Sequence, residues 1–180
     1  MDVIEDLDGD GLPDVLVGAP RQDVNVGDEG GARVLSSASG CEPFHYCEAK
    51  LSGAGCLAAI GSLGSPSLSG PGDLRLTAHA LPSGATGLFL LSHDPAASPL
   101  GWGVLCVLPP LERSLPLSAG GSAAQPCAGR FEIALPPADL LARGWQPGDL
   151  LHTQAWFRDP GHPDGTASSV SDALGVLLCP

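Results

Sequence analysis

Proline and glycine interrupt this chain so often that one stretch alone, residues 138–143, has the makings of a helix, two turns at most before Gly144 stops it. With 18 prolines and 25 glycines in 180 residues, regular structure is confined to short strands joined by turns. Proline lacks the amide that a helix or a ladder needs, and glycine loses more backbone freedom than any other residue on being fixed in either. Between the breaks the apolar residues recur with a period of two. In residues 129–135, Phe131, Ile133 and Leu135 alternate with Arg130, Glu132 and Ala134, and in residues 73–79, Leu74, Leu76 and Ala78 alternate with Arg75, Thr77 and His79. Such alternation gives a strand one buried face. Further strands are predicted at 86–91, 103–107, 150–157 and 172–178. Strands at this spacing predict an all-β domain built as an antiparallel β-sandwich, with jelly-roll and immunoglobulin-like order both open.

The N-terminal segment carries a different signal. Asp6-Leu7-Asp8-Gly9-Asp10-Gly11-Leu12-Pro13-Asp14 sets three carboxylates at alternate positions, allows a sharp turn at Gly11 and adds a carboxylate at the ninth place before the apolar run Val15-Leu16-Val17. Asp6, Asp8, Asp10 and Asp14, with the Leu12 carbonyl, form an all-oxygen donor set suited to Ca2+. The loop is not an EF-hand, whose twelfth position is a Glu, because here that position is Val17. The loop and the Val15-Leu16-Val17-Gly18-Ala19-Pro20 that follows it resemble the FG-GAP repeat, the blade unit of integrin α-chain β-propellers, with a second glycine-led strand at 31–36. The resemblance covers about the first 40 residues and implies a calcium-bound partial propeller blade. A single blade cannot close a propeller. Since Met1 stands almost on the loop, the expectation is that earlier blades are missing and that the chain is part of a larger polypeptide with a truncated N-terminus. The domains are expected at 1–40, a partial FG-GAP repeat, and 41–180, a disulfide-containing sandwich.

Charge narrows the partners. The net charge is -12, and residues 1–40 contribute seven of those charges, nine acids facing Arg21 and Arg33. Nucleic acid is an unsuitable partner for a chain without a basic patch, and anionic membrane surfaces are disfavoured in the same way. No signal peptide and no run of about 18 apolar residues is present, so no membrane insertion is expected. Six cysteines, Cys41, Cys47, Cys56, Cys106, Cys127 and Cys179, lie in a Gly/Pro-rich β chain without the paired C-x2-C spacings of zinc sites. They predict disulfides in an oxidising compartment, with Cys47–Cys56 as the local bridge and Cys106–Cys179 as the long one.

Residues 46–180 resemble the C-terminal domain of large secreted planctomycete-type proteins. The likeness rests on Tyr46-Cys47-Glu48-Ala49-Lys50, Gly55-Cys56, Leu105-Cys106-Val107, Gln154-Ala155-Trp156-Phe157-Arg158-Asp159, Ser171-Asp172-Ala173-Leu174 and the closing Leu178-Cys179-Pro180. It implies a secreted β-domain and no particular activity. Phe157 departs from the tyrosine common at its place, which keeps the strand and removes a hydroxyl.

Catalytic patterns are weak. Ser92-His93-Asp94 are adjacent on a strand, where neighbours point to opposite faces, and no G-x-S-x-G elbow occurs. No H-x-H or H-E-x-x-H spacing unites the histidines with Asp94, Asp159 or Asp164 at a metal. The acid-bearing run Asp159-Pro160-Gly161-His162-Pro163-Asp164-Gly165 is read as a connection between strands. A hidden site could still assemble from Ser92, His93, His152 and Asp159. Trp102, Trp145 and Trp156 are candidate ligand-binding residues, because an indole can stack on the apolar face of a sugar. The sequence therefore predicts a secreted, non-catalytic structural or recognition domain whose partner is an extracellular protein or carbohydrate. The alternatives are a carbohydrate-binding module using exposed tryptophans and a small hydrolase of esters, lactones or glycosides.

Overall fold

The computed structural model describes residues 41–122 and 124–180 in full and, of the first 40 residues, the strand backbones 2–4, 14–19 and 31–35. The chain divides into two compact units, Met1–Glu42 and Pro43–Pro180.

In the first unit β1 (Asp2–Ile4), β2 (Asp14–Ala19) and β3 (Gly31–Leu35) form an antiparallel sheet in chain order, with Val3 opposite Val15 and Val17 opposite Arg33. The predicted Val15-Leu16-Val17 run and the glycine-led second strand are β2 and β3. Asp6, Asp8, Asp10 and Leu12 lie outside the described residues, as does the side chain of Asp14, whose backbone opens β2.

The second unit is a two-sheet sandwich. Its larger sheet runs β10 (Glu112–Arg113), β7 (Thr86–Ser92), β13 (Leu150–Arg158), β14 (Ser168–Leu177) and β4 (Phe44–Tyr46), with β11 (Leu117–Ser118) also paired to β7. The facing sheet runs β12 (Gly129–Leu135), β6 (Leu74–Leu81) and β5 (Ala59–Leu63), and β8 (Pro95–Leu100) pairs with β9 (Gly103–Val107) as a separate hairpin. Every strand pairing named here is antiparallel. The period-two reading gives the bounds of β9 and β12 to the residue, and those of β6, β7 and β13 within two. It starts β14 four residues late, because Ser168, Ser169 and Ser171 are buried hydroxyls that carry no hydrophobic signal.

The core lies between the sheets. Phe89 and Leu91 of β7, Leu151, Ala155 and Phe157 of β13, and Leu174 and Val176 of β14 meet Ile60, Leu76, Ala78 and Phe131 from the facing sheet. Phe89 and Phe131 pack edge to face at 6.3 Å. Each of the leucine, isoleucine, valine and phenylalanine side chains among them contributes about 1.5–3 kcal/mol by leaving water. The one helix, α1 (Pro137–Ala142), starts on a proline whose missing amide is not needed there and buries Leu140. It ends as expected at Gly144, which takes φ +93° while the Trp145 amide bonds back to Leu140.

The disulfides differ from the expected pairing. Cys47 is joined to Cys106 and Cys56 to Cys127, and Cys41 and Cys179 are also disulfide-bonded, so no free cysteine is present. Sequence proximity favoured Cys47–Cys56, but strand order decides instead. Cys47 follows β4, over whose sheet β9 lies, whereas Cys56 precedes β5 on the opposite sheet beside the approach to β12. Among the described residues no helix is long and apolar enough to cross a membrane.

Candidate functional site

The β13–β14 connection, read from sequence as a turn, is the most heavily cross-linked polar region of the second unit. Asp159 opens it and stays buried. One carboxylate oxygen accepts the Gly53 amide at 2.8 Å and the Ser169 hydroxyl at 2.8 Å. His162, also buried, donates from Nε2 to the Leu51 carbonyl at 2.9 Å and sets Nδ1 2.7 Å from Asp164.

Asp164 is the centre. Its Oδ2 lies 2.6 Å from the ammonium of Lys50 and accepts the Trp102 amide at 2.9 Å, while Oδ1 accepts the Thr166 amide at 3.0 Å and hydroxyl at 2.8 Å. Burial alone would raise the carboxyl's pKa. The Lys50 ammonium and the Thr166 and Trp102 donors outweigh that and hold it well below the usual carboxylate range. Lys50 is the only lysine in the chain, and its side chain is 1% exposed. Its three N–H groups are all used: besides Asp164 they reach the Thr166 hydroxyl at 2.7 Å and the Ser168 carbonyl at 2.9 Å. A lysine is rarely buried unless it is paired in this way.

The network fixes a tryptophan. Trp102 sits at the tip of the β8–β9 hairpin, and its ring is 73% exposed although its amide is held by buried Asp164. The preceding Gly101 has φ +59°, and a Cβ there would collide with the Asp164 carboxylate, so the turn requires glycine. The indole packs edge-on to His162 at 5.6 Å and borders a hollow of about 300 Å3 that is also lined by Leu51, Ser52, Gly53 and Pro163. An exposed indole whose backbone amide is bonded to a buried carboxylate, beside a concave surface, is an arrangement that can stack on a ligand's apolar face.

The other two candidate tryptophans do not join it. Trp145 is 1% exposed and belongs to the core, with the exposed ring of His93 stacked on it at 3.7 Å. It has no surface on which a ligand could stack. Trp156 lies half-buried on the outer face of the larger sheet and lines a second hollow of about 370 Å3.

The hydrolase candidates are dispersed or already engaged. Ser92 and His152 do stand opposite each other on β7 and β13. The Ser92 hydroxyl, however, donates to the Leu108 carbonyl at 2.6 Å, and His152 Nδ1 is 3.0 Å from the Tyr46 hydroxyl, which itself donates to the Cys106 carbonyl at 3.0 Å. Burial pushes the Tyr46 phenol up to about 12 and lowers His152, a shift that nearby Asp94 partly opposes. His93 is on Trp145, and Asp159 is at the far end of β13 from His152. His45 binds Asp172, whose other oxygen accepts the Ile60 amide, and His79 is exposed on the outer face of β6. Among the described residues no three metal-ligating side chains converge.

Sequence reasoning named Asp159, His162 and Asp164 as parts of a turn but missed Lys50, 114 positions before Asp164. Its solitary occurrence in the sequence was the available signal.

No curated protein and no solved structure matches this chain. A family model does match part of it: residues 2–35 are similar to the FG-GAP repeat.

Proposed function

We propose that this chain is an extracellular recognition module, a calcium-braced FG-GAP segment followed by a disulfide-tied sandwich that binds a ligand and does not turn one over. The observation that carries the reading is Trp102, a largely exposed indole whose backbone is locked by the buried Lys50–Asp164 pair. Keeping an apolar ring in water costs free energy that a bound partner recovers. The ligand class that suits one exposed indole beside a mainly apolar hollow is a carbohydrate, whose pyranose face stacks on the ring. The engaged state of Ser92, His152, Asp159 and Asp164, each bonded within the fold, supports binding over catalysis.

The FG-GAP match, the disulfides and the resemblance of residues 46–180 to planctomycete-type secreted domains support an extracellular location. In the N-terminal segment, Asp6, Asp8, Asp10 and Asp14 with the Leu12 carbonyl supply oxygen donors alone, which fit a hard cation and not a thiophilic one. Calcium there would offset two of the four negative charges of carboxylates that have no basic residue among them. The test is an immobilised-glycan screen of the intact protein and its Trp102→Ala variant. Glycan binding that the variant loses with an unchanged melting temperature is the expected result. Binding that the variant retains, or binding confined to proteins, would remove the sugar reading.

A further inference from the structure

A second hollow lies away from the Trp102 network, under the β8–β9 hairpin, and it has a different chemistry. The hairpin is anchored to one side of the sheet beneath it. Cys106 of β9 is disulfide-bonded to Cys47 beyond β4, its carbonyl accepts the Tyr46 hydroxyl, and its amide donates to Gln154 of β13. The Gln154 amide in turn donates to the Val104 and Ser171 carbonyls, so this buried side chain rivets β9 over β13 and β14. On the β7 and β10 side a tie lies at the strand ends, where the Ser92 hydroxyl donates to the Leu108 carbonyl just past β9, and beside it the two layers leave about 370 Å3. Leu88 and Leu90 of β7 and Trp156 of β13 form its sheet side, and Leu100 and Leu105 its hairpin side. Strand register sets its rim: Arg113 of β10 stands opposite Leu90, and Trp156 stands opposite Leu88. Arg113 therefore shares the face of these apolar side chains. Arg113 is exposed and makes no ion pair among the described residues, although the chain carries a net charge of -12.

We propose that this hollow binds a small amphiphilic monoanion, an apolar tail of medium length ending in a carboxylate or similar single charge. The tail lies between the leucines and Trp156, and the head meets Arg113. The volume is at the small end of the range of about 300–1,000 Å3 typical of ligand sites, which suits a short tail. A planar guanidinium pairs a carboxylate through two parallel hydrogen bonds, and the apolar lining selects for a tail over a fully polar anion. The head has one cation to meet, so a single charge fits better than two.

Calorimetry on the full chain tests this with octanoate, octanol and octyltrimethylammonium, each below its aggregation threshold. Octanoate should bind most tightly and the cation least. Arg113→Gln should weaken octanoate on the order of tenfold or more while leaving octanol unchanged, and Arg113→Lys should retain part of the difference. Leu105→Trp, which fills the hollow, should block both octanoate and octanol, and Trp102→Ala should alter neither, keeping this site separate from the carbohydrate reading. The proposal is overturned by any of four results: no octanoate binding up to millimolar concentration, equal binding of anion and cation, octanoate affinity that survives Arg113→Gln, or tighter binding of a short peptide ending in leucine.

Discussion

Two acid-bearing segments of this chain look alike on the page and differ in how their charge is balanced. Residues 6–14 and 159–166 both string aspartates between glycine and proline. The first contains no basic residue, and its carboxylates recur at alternate positions, so a cation from solution is the natural counter-charge. In the second the chain supplies its own, Lys50 arriving from a segment more than a hundred residues away to meet Asp164 at 2.6 Å. Regular local spacing is what carries the calcium site proposed for residues 6–14. Irregular spacing inside a strand connection marks carboxylates that the fold itself must satisfy, and that distinction is a matter of tertiary distance.

The largest expected effect breaks the first member of the pair. Asp10→Ala should lower calcium affinity at residues 6–14 by orders of magnitude in a calorimetric titration, since affinity in such loops follows the number of charged ligands. Binding unaffected by the substitution would return these acids to an ordinary solvated turn.

Lys50→Met attacks the second. It leaves Asp164 buried without its counter-charge and should lower the melting temperature by roughly 10 °C, and adding Asp164→Asn should restore much of the loss. A decrease no larger than that of a surface substitution would mean that the pair is not needed to hold the connection.

Opening the Cys56–Cys127 bridge by replacing both cysteines with alanine should cost about 2–4 kcal/mol in urea denaturation, because the bridge closes a long loop in the unfolded chain. An effect near zero would show that the approaches to β5 and β12, the two outer strands of the smaller sheet, are held by packing and backbone pairing alone.

The smallest effects come from pH and have worked-out signs. Burial holds His152 below its usual value, so the unfolded chain takes up the proton first. The associated stability is complete above about pH 6.5 and declines on acidification below it. Asp164 is also depressed, and its contribution is complete above about pH 3.9 and lost as the pH falls further. Tyr46 has the opposite sign: its contribution is complete below about pH 10 and lost as the pH rises toward about 12. Urea midpoints across this range should show the three declines, and His152→Gln should remove the one that begins near pH 6.5.

Much of the sandwich was legible because burial on one face of a strand writes itself into the sequence every second residue, as in Phe131, Ile133 and Leu135 of β12. The strands that escaped are those without that imprint. β8 carries proline at both 95 and 99 and is mostly exposed, β10 and β11 are two residues each, β4 is three residues, and β5 buries one large apolar side chain, Ile60, beside glycine and serine. The site was less legible. Trp102, Trp145 and Trp156 are the same residue type in a chain short of aromatics, yet one is exposed, one belongs to the core and one lines a hollow. Nothing in the immediate neighbours of an indole fixes which face of which layer it will occupy.

By itself, then, the sequence determined the material of this protein: short antiparallel strands, a donor-rich acidic loop similar to the FG-GAP repeat, and cysteines that end in disulfides. These are consequences of local covalent and steric preference and of period-two burial, which act over a few residues. Tertiary structure alone decided that Cys47 meets Cys106, that Lys50 meets Asp164, that Trp102 is held out in solvent and that Arg113 stands at the mouth of an apolar hollow. Each of these follows from the order and register in which distant strands pair, and from the need of every buried charge and amide for a partner wherever the folded chain can supply one.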